Sequence, residues 1–532
     1  MPFQDILQRG YFPKELPPPF VTESFARVVT SATTTLPSDF LPNLTVPRPR
    51  VPVAKSVKYS HARGGLLRRP LSIPNPLLYF LLSREIDSHW ATLQRNIGGT
   101  PLSSTSPEFK TTGRAIDGVH PLSDRPGLAI QTRLNRRYIL RTDINRFYQS
   151  IYTHAIPWAL LTKPVAKVNR GMTELGNRLD YLVRQGQDGQ TVGIPIGPDT
   201  SLVIAEVIMQ TCDRELVRRI PNIQGHRFID DYEIGFRQRT EAEDAFHILE
   251  RTLAEYELAL NPKKTRIENL PYDLEEPWAA PLRTFRIRVD TRGQQGDLVH
   301  YFDLAFDLQR SHPDEAVLQY AVSRLRYLNL NPVNWSIFQS LLLNCAVPEP
   351  ATFPYVLKSI ITRVDAGALP AIPQIDEAIN SLIVDHSSLG HSSEIAWALW
   401  ACLALRISIS APACNAVSGC DDSVVALLAL HCEAENLCAE ALDKTLWSTY
   451  MTRRSLYEEQ WLLCYEANVK GWLPSRGRTD HVGTDPNFGF LKRAGVSFYD
   501  TSRAVTPARR VRRPILWPPT PPPVPGGYGG YP

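Results

Sequence analysis

The stretch HRFIDDYEIGF, from His226 to Phe236, sets Asp230 and Asp231 side by side between two β-prone runs. Such runs around a pair of polar residues predict a hairpin, with the carboxylates in or beside its turn. Taken alone, an Asp-Asp pair is an ordinary solvated turn, because Asp favours turns for local reasons. The segment RRYILRTDINRFYQSIY changes that reading. Its alternating run from Tyr138 to Thr142 predicts a strand that delivers Asp143 at its end, before a helical pattern begins.

One carboxylate at a strand end and two at a hairpin are what two-metal phosphoryl transfer requires. Two Mg²⁺ ions, or Mn²⁺ in their place, lie about 4 Å apart in such sites and are bridged by hard oxygen ligands. One activates an attacking 3′-hydroxyl and the other holds a triphosphate. Asp143, Asp230 and Asp231 are the expected ligands, since like charges packed together are costly unless cations neutralise them. Tyr148, beside Phe147 and five residues after Asp143, is expected to bring its ring over the sugar of a bound nucleotide. A bulky ring there collides with a 2′-hydroxyl and favours deoxynucleotides. GIPIGPDTSLVIAEVIMQTCDREL begins with a Gly/Pro loop, Gly193 to Pro198, then offers Asp199, Thr200 and Ser201 as caps of a long amphipathic helix. Such a loop lets backbone approach a nucleic-acid strand closely. In LNPKKTRIE, Lys264 follows a helical segment, where an ammonium would assist departure of pyrophosphate.

A chain of 532 residues is too long for one ordinary core, so two or three domains are expected. With 43% hydrophobic and 21% charged residues it reads as globular over most of its length. A formal net charge of +4 argues for no particular partner, so any nucleic-acid surface must come from local clusters. The eight cysteines form no C-x-x-C pair and read as reduced, buried thiols. No apolar run reaches the ~18 residues of a membrane span, and the first residues carry no signal pattern. A cytoplasmic protein with no membrane partner is expected.

Residues 1–56 are rich in Pro, Ser and Thr and read as an extended arm. Interleaved strand and helix patterns follow to about Pro281, the sign of an α/β or α+β domain. Between about 300 and 475 the texture is helix after helix, which fits either a HEAT-like stack of helix pairs or an irregular bundle. The end, VRRPILWPPTPPPVPGGYGGYP, is expected to be extended or disordered.

In order along the chain, DINRFY, GIPIGPDTS, FIDD and LNPKKT resemble motifs A, B, C and D of reverse transcriptases. RRPLSIPNPLLYFLLSREI, from Arg68 to Ile86, resembles the fingers segment before motif A, and WAAPLRTF is similar to a degraded motif E. The resemblance covers roughly residues 57 to 290. It implies an α+β fold with an RRM-like palm and RNA-directed DNA polymerase activity. Carried over by position, Asp143, Asp230 and Asp231 bind the metals, Tyr148 is the steric gate and Lys264 the motif D lysine. Arg68 or Arg69 would contact the incoming triphosphate. Motif B usually reads L-P-Q-G, with a glutamine that touches template and nucleotide; here Ile196 stands before Gly197. An aliphatic side chain makes no such hydrogen bonds, which puts conventional templated copying in question. On this resemblance the boundaries fall at 57–140 for fingers, 141–275 for palm and 276–310 for a thumb-like connector. An α-helical repeat domain over 311–475 and a tail over 476–532 complete the chain.

SIYTHAIPWAL, from Ser150 to Leu160, together with GIPIGPDTS and the helical half, is similar to bacterial defence-associated and abortive-infection reverse transcriptases, the AbiK-like branch included. That implies anti-phage immunity, a homo-oligomer, and DNA synthesis that is in some members non-templated or primed by a protein hydroxyl. Tyr499, Tyr528 and Tyr531 are the candidate priming residues. The expected partners are dNTPs and RNA or single-stranded DNA, with a non-coding RNA left open. Arg133, Arg136, Arg137 and Arg141 before motif A, and Arg503, Arg509, Arg510, Arg512 and Arg513 near the tail, are basic runs suited to phosphates. The rival readings are an RNA-dependent RNA polymerase and a scaffold with a vestigial palm. The first normally carries a second aspartate after the motif A one, where this chain has Arg146, Phe147 and Tyr148.

Overall fold

The computed structural model describes residues 3–64 and 67–504. Its strands form three antiparallel sheets. β1 (Val57–Ala62) pairs with β2 (Arg68–Ile73), and β3 (Pro107–Phe109) with β4 (Ile116–Gly118). The third sheet contains β5 (Tyr138–Thr142), β6 (Gln224–Phe228), β7 (Asp231–Phe236) and β8 (Arg266–Asn269), in the order β6-β7-β5-β8. The helix Asp199–Arg219 precedes β6, and the helix Arg239–Glu255 joins β7 to β8. This is the β-α-β-β-α-β order of a ferredoxin-like unit. Placing β5 next to β7 sets the end of one beside the start of the other.

The helix Asp199–Arg219 differs from expectation. It is buried almost continuously from Asp199 to Gln210, because apolar side chains surround it and neighbours cover all its faces. Its N-cap is Pro198 and no side chain caps it. Asp199 is drawn aside, accepting from Arg114 Nε at 2.5 Å and from the Ile116 amide at 2.9 Å.

From Thr291 to Ala504 the named elements are all helices, joined by turns and loops. The helices Trp335–Ala346, Phe353–Asp365, Ile372–Ser387, Ser392–Leu405, Ala411–Ser418 and Ser423–Ala434 pack largely on the next helix or the next but one. Their apolar faces are covered by stacking, and Trp397, Trp400, Trp447 and Trp461 are fully buried among them. All eight thiols are free, and all but Cys438 are buried. Among the described residues no helix is long and apolar enough to cross a membrane.

Two expected boundaries are corrected. Residues 1–56 are not an extended arm: they include helices Phe3–Arg9 and Glu23–Thr30, and Ile6, Leu7, Phe25 and Ala26 are fully buried. The prolines at 17–19 separate helical pieces too short for their periodicity to stand out. Nor does a tail begin at 476. The helix Pro486–Arg493 docks on the body, and Phe498 and Tyr499 are fully buried. Tyr528, Tyr531, Arg509, Arg510, Arg512 and Arg513 lie outside the described residues.

Candidate active site

Phe228 pairs with Asp231 in the β6–β7 register, which leaves Ile229 and Asp230 as the turn. Ile229 has φ of 56°, a region that a β-branched side chain rarely enters. Strain of that kind, about 1–3 kcal/mol, persists only where the surroundings over-determine it. Here they do. The Ile229 amide donates to Thr105 Oγ1 at 2.9 Å, and its carbonyl accepts from Arg227 Nη1 at 2.6 Å. The Asp230 carbonyl accepts from the Ile144 amide at 3.2 Å, fastening the turn to the end of β5.

Arg227 is the anchor beneath the turn. Its side chain is 0% exposed and its guanidinium reaches Glu206 Oε1 at 2.8 Å and Asp213 Oδ2 at 2.7 Å. Tyr232 donates to Asp213 at 2.7 Å, and Ser103 and Thr105 donate to Glu206 at 2.9 and 3.0 Å. Sequence reasoning missed this residue. The signal was present in Glu206 and Asp213, two carboxylates two helical turns apart on one face of a largely apolar helix, which called for a buried cation.

Asp143 follows directly on β5 and is buried. Its backbone carbonyl accepts from the Asn261 amide at 2.8 Å, and its Oδ2 accepts from Lys264 Nζ at 2.7 Å. Its Oδ1 is buried without a hydrogen-bond partner. Asp231 Oδ2 accepts from Arg125 Nη2 at 2.7 Å. Burial raises the pKa of Asp143, against the pull of Lys264. Burial, then the nearby Asp231 and Asp143, raise that of Asp230 well above the ordinary carboxylate range. The three predicted carboxylates and Lys264 are therefore brought together. A buried carboxylate oxygen without a partner, among carboxylates whose charge is disfavoured, is a donor set that fits a divalent cation.

Beside them opens a cleft of ≈ 520 Å³, whose lining includes Arg125, Arg133, Arg141, Arg266, Tyr272 and Lys264. Arg133 also grips Glu233 with two bonds, of 2.8 and 3.0 Å. Arg136 and Arg137 are not part of this lining.

Tyr148 lies in the short helix Phe147–Ser150, with Phe147 edge-on to it at 5.2 Å. Both rings are buried. Tyr148 lines a second, smaller cavity with Arg69, Gly197, Arg114 and Lys14. Gly197 has φ of +124°, and a Cβ there would lie 2.7 Å from Pro13 Cγ, so only glycine fits. Ile196 is buried, its carbonyl accepts from the Ser72 amide at 2.8 Å, and it lines a separate cavity with Gln149.

Arg68 does not join this group. Successive side chains of a strand point to opposite faces. Arg69 turns to the Tyr148 cavity, while Arg68 pairs with Glu394 in the helical half, Nη2 to Oε2 at 2.9 Å. Tyr499 is corrected as a priming residue: its hydroxyl is buried against His431 Nδ1 at 2.9 Å, away from the carboxylates. Arg503 pairs with Glu23 at 2.8 Å.

No curated protein matches the chain. Residues 77–301 match the family model described as reverse transcriptase (RNA-dependent DNA polymerase). That span holds Asp143, Tyr148, Gly197, Asp230, Asp231 and Lys264. Reverse transcriptase domains bind nucleic acid and dNTPs and generally depend on a divalent metal such as Mg²⁺. The chain thus carries a reverse transcriptase domain over 77–301 and is an RNA-directed DNA polymerase, a nucleotidyltransferase.

Proposed function

We propose that the domain transfers deoxynucleotides by two-metal chemistry at Asp143, Asp230 and Asp231, and that the protein acts in defence against phage. The observation that carries the chemistry is the grouping of the three carboxylates, with an unpartnered buried oxygen on Asp143 and Lys264 bonded to that same residue. Mg²⁺ bound there supplies activation of a 3′-hydroxyl and neutralises charge on the departing pyrophosphate. Asp143, Asp230 and Asp231 would hold the ions. Lys264, on a flexible stem, swings from Asp143 to give its charge and a proton to the pyrophosphate oxygen. Tyr148 closes the floor of the sugar site against a 2′-hydroxyl, and Arg69 binds the triphosphate from the other side of the same cavity. The arginines of the large cleft hold nucleic-acid phosphates in a salt-dependent way.

The defence role rests on the resemblance of Ser150–Leu160, the Gly193–Ser201 loop and the helical half to abortive-infection enzymes. Ile196 in place of glutamine supports synthesis that an ordinary template does not direct. The helical half acts as a HEAT-like stack that joins copies of the chain. The test is to incubate purified protein with Mg²⁺ and each dNTP singly and together, with and without nuclease treatment. The product is then sequenced and checked for covalent protein. Asp230→Asn with Asp231→Asn is expected to abolish incorporation and protection of cells from phage. Retained incorporation removes the metal assignment, and protection surviving without incorporation removes the link between the two.

A further inference from the structure

Far from the carboxylates, the helices Ile372–Ser387 and Ser392–Leu405 meet at a short turn carrying three donor side chains. His386 sits in the last turn of the first, His391 caps the second, and Glu394 lies in its first turn. The two imidazole Nδ1 atoms face each other at 2.8 Å, and Glu394 Oε1 lies 3.9 Å from His386 Nδ1 and 3.7 Å from His391 Nδ1. Among the described residues no other group of His, Cys, Asp or Glu brings three ligand atoms so close.

A shared proton accounts for the two rings but not for the carboxylate. Glu394 is beyond hydrogen-bond distance of both nitrogens, yet its oxygen sits at the third corner of their triangle. Tetrahedral zinc, with ligands at about 2.0–2.2 Å, sets neighbouring ligand atoms about 3.4 Å apart. The observed edges bracket that value. The ligands are also preset. Glu394 is buried and oriented from behind by Arg68 and by Ser393 Oγ, which donates at 2.6 Å. Such outer partners fix carboxylate ligands in metal sites.

We propose that His386, His391 and Glu394 bind one zinc-type transition-metal ion. Two imidazole nitrogens select such an ion over Mg²⁺, and the charge of Arg68 offsets the one carboxylate, so the ion depends on the nitrogens. The His391 ring is partly exposed, so water could supply a fourth ligand. The site has structural leverage because the same turn holds the β1–β2 hairpin. Ser60 and Ala62 amides donate to Ser392 and Ser393 Oγ at 3.2 and 3.0 Å, and Arg68 precedes the cavity-lining Arg69. A bound ion pins this joint between the fingers hairpin and the helical half.

The test uses the full chain without a histidine tag, equilibrated with micromolar Zn²⁺ and dialysed into excess Mg²⁺. Metal content is measured by mass spectrometry beside His386→Ala/His391→Ala. Wild type should retain one zinc per chain more than the variant, and Zn²⁺ should raise the thermal midpoint of wild type alone. Should the double variant not fold, His391→Ala should weaken zinc affinity at least ~10-fold in competition with a chromogenic chelator. Equal zinc content or affinity in wild type and variant places the ion elsewhere and overturns the proposal. Wild type that retains no zinc overturns it too, and leaves the rings sharing a proton.

Discussion

Asp230 is a residue whose charge the fold resists, which separates its effect on stability from its effect on catalysis. A carboxylate with a raised folded-state pKa contributes nothing below its unfolded value. It then costs stability progressively as pH climbs to the folded one, and fully above it. At neutral pH Asp230→Asn should therefore raise the thermal midpoint of protein in chelator while abolishing incorporation. A lower midpoint would show the charge to be structural. The same upward shifts in Asp143 and Asp230 mean that cation binding expels protons, so Mg²⁺ affinity should climb with pH from the ordinary carboxylate range upward. Calorimetry in buffers of different ionisation enthalpy measures this. Tyr148→Ala should improve use of ribonucleotides relative to deoxynucleotides by about tenfold to a hundredfold, read in competition assays. An unchanged preference removes the gate. That the three carboxylates and Lys264 meet was legible because each sits in a short contiguous motif whose local structure aims it; the roles of Lys264 and Tyr148 rest on the resemblance. Arg68 and Arg69 were not separable, because which of two strand neighbours faces a cavity depends on what packs on each side of the hairpin.

The β6–β7 hairpin is held by a buried ion cluster rather than by its turn chemistry. A turn with Ile at positive φ has no intrinsic preference for its shape, so Arg227 supplies what glycine or asparagine would supply elsewhere. Arg227→Met should destabilise the protein by about 3–5 kcal/mol, since it leaves Glu206 and Asp213 buried without a cation. Arg227→Lys should keep the charge but lose the fork that reaches Ile229, lowering incorporation more than stability. Denaturant titration beside single-turnover incorporation distinguishes the two. The hairpin itself was readable, because β-prone runs on both sides of the acidic pair leave little choice. The support was not, since Glu206, Asp213, Arg227 and Thr105 come from three separate segments.

At the scale of the molecule, the first and last described segments are joined. Phe20 bridges Tyr499, the Val21 amide donates to the Phe498 carbonyl at 3.0 Å, and the Asp500 amide donates to the Pro19 carbonyl at 2.8 Å. Tyr11, Phe12, Phe25, Trp461 and Tyr465 all pack on Phe498. Removing residues 1–30 should therefore expose apolar surface on both the helix Pro76–Ser88 and the helical half. The expected result is a sharp fall in soluble yield and faster proteolysis, where an independent arm would leave both unchanged. The helical half was legible as helices, because three- and four-residue spacing is a local property. Its attachment to the N-terminal segment was not, because nothing local to Phe498 names its neighbours.

That junction sets a timetable for synthesis. The segment around Phe20 leaves the ribosome well before its partner around Tyr499, with most of the described chain between them. Phe3 and Tyr11 can pack early on Phe80 and Tyr79, but Phe20 and Val21 wait for Tyr499 and Phe498, so this joint closes late. A nascent chain that stops short of Phe498 leaves Phe20 and Val21 without that partner, and so differs from the finished fold at this one joint.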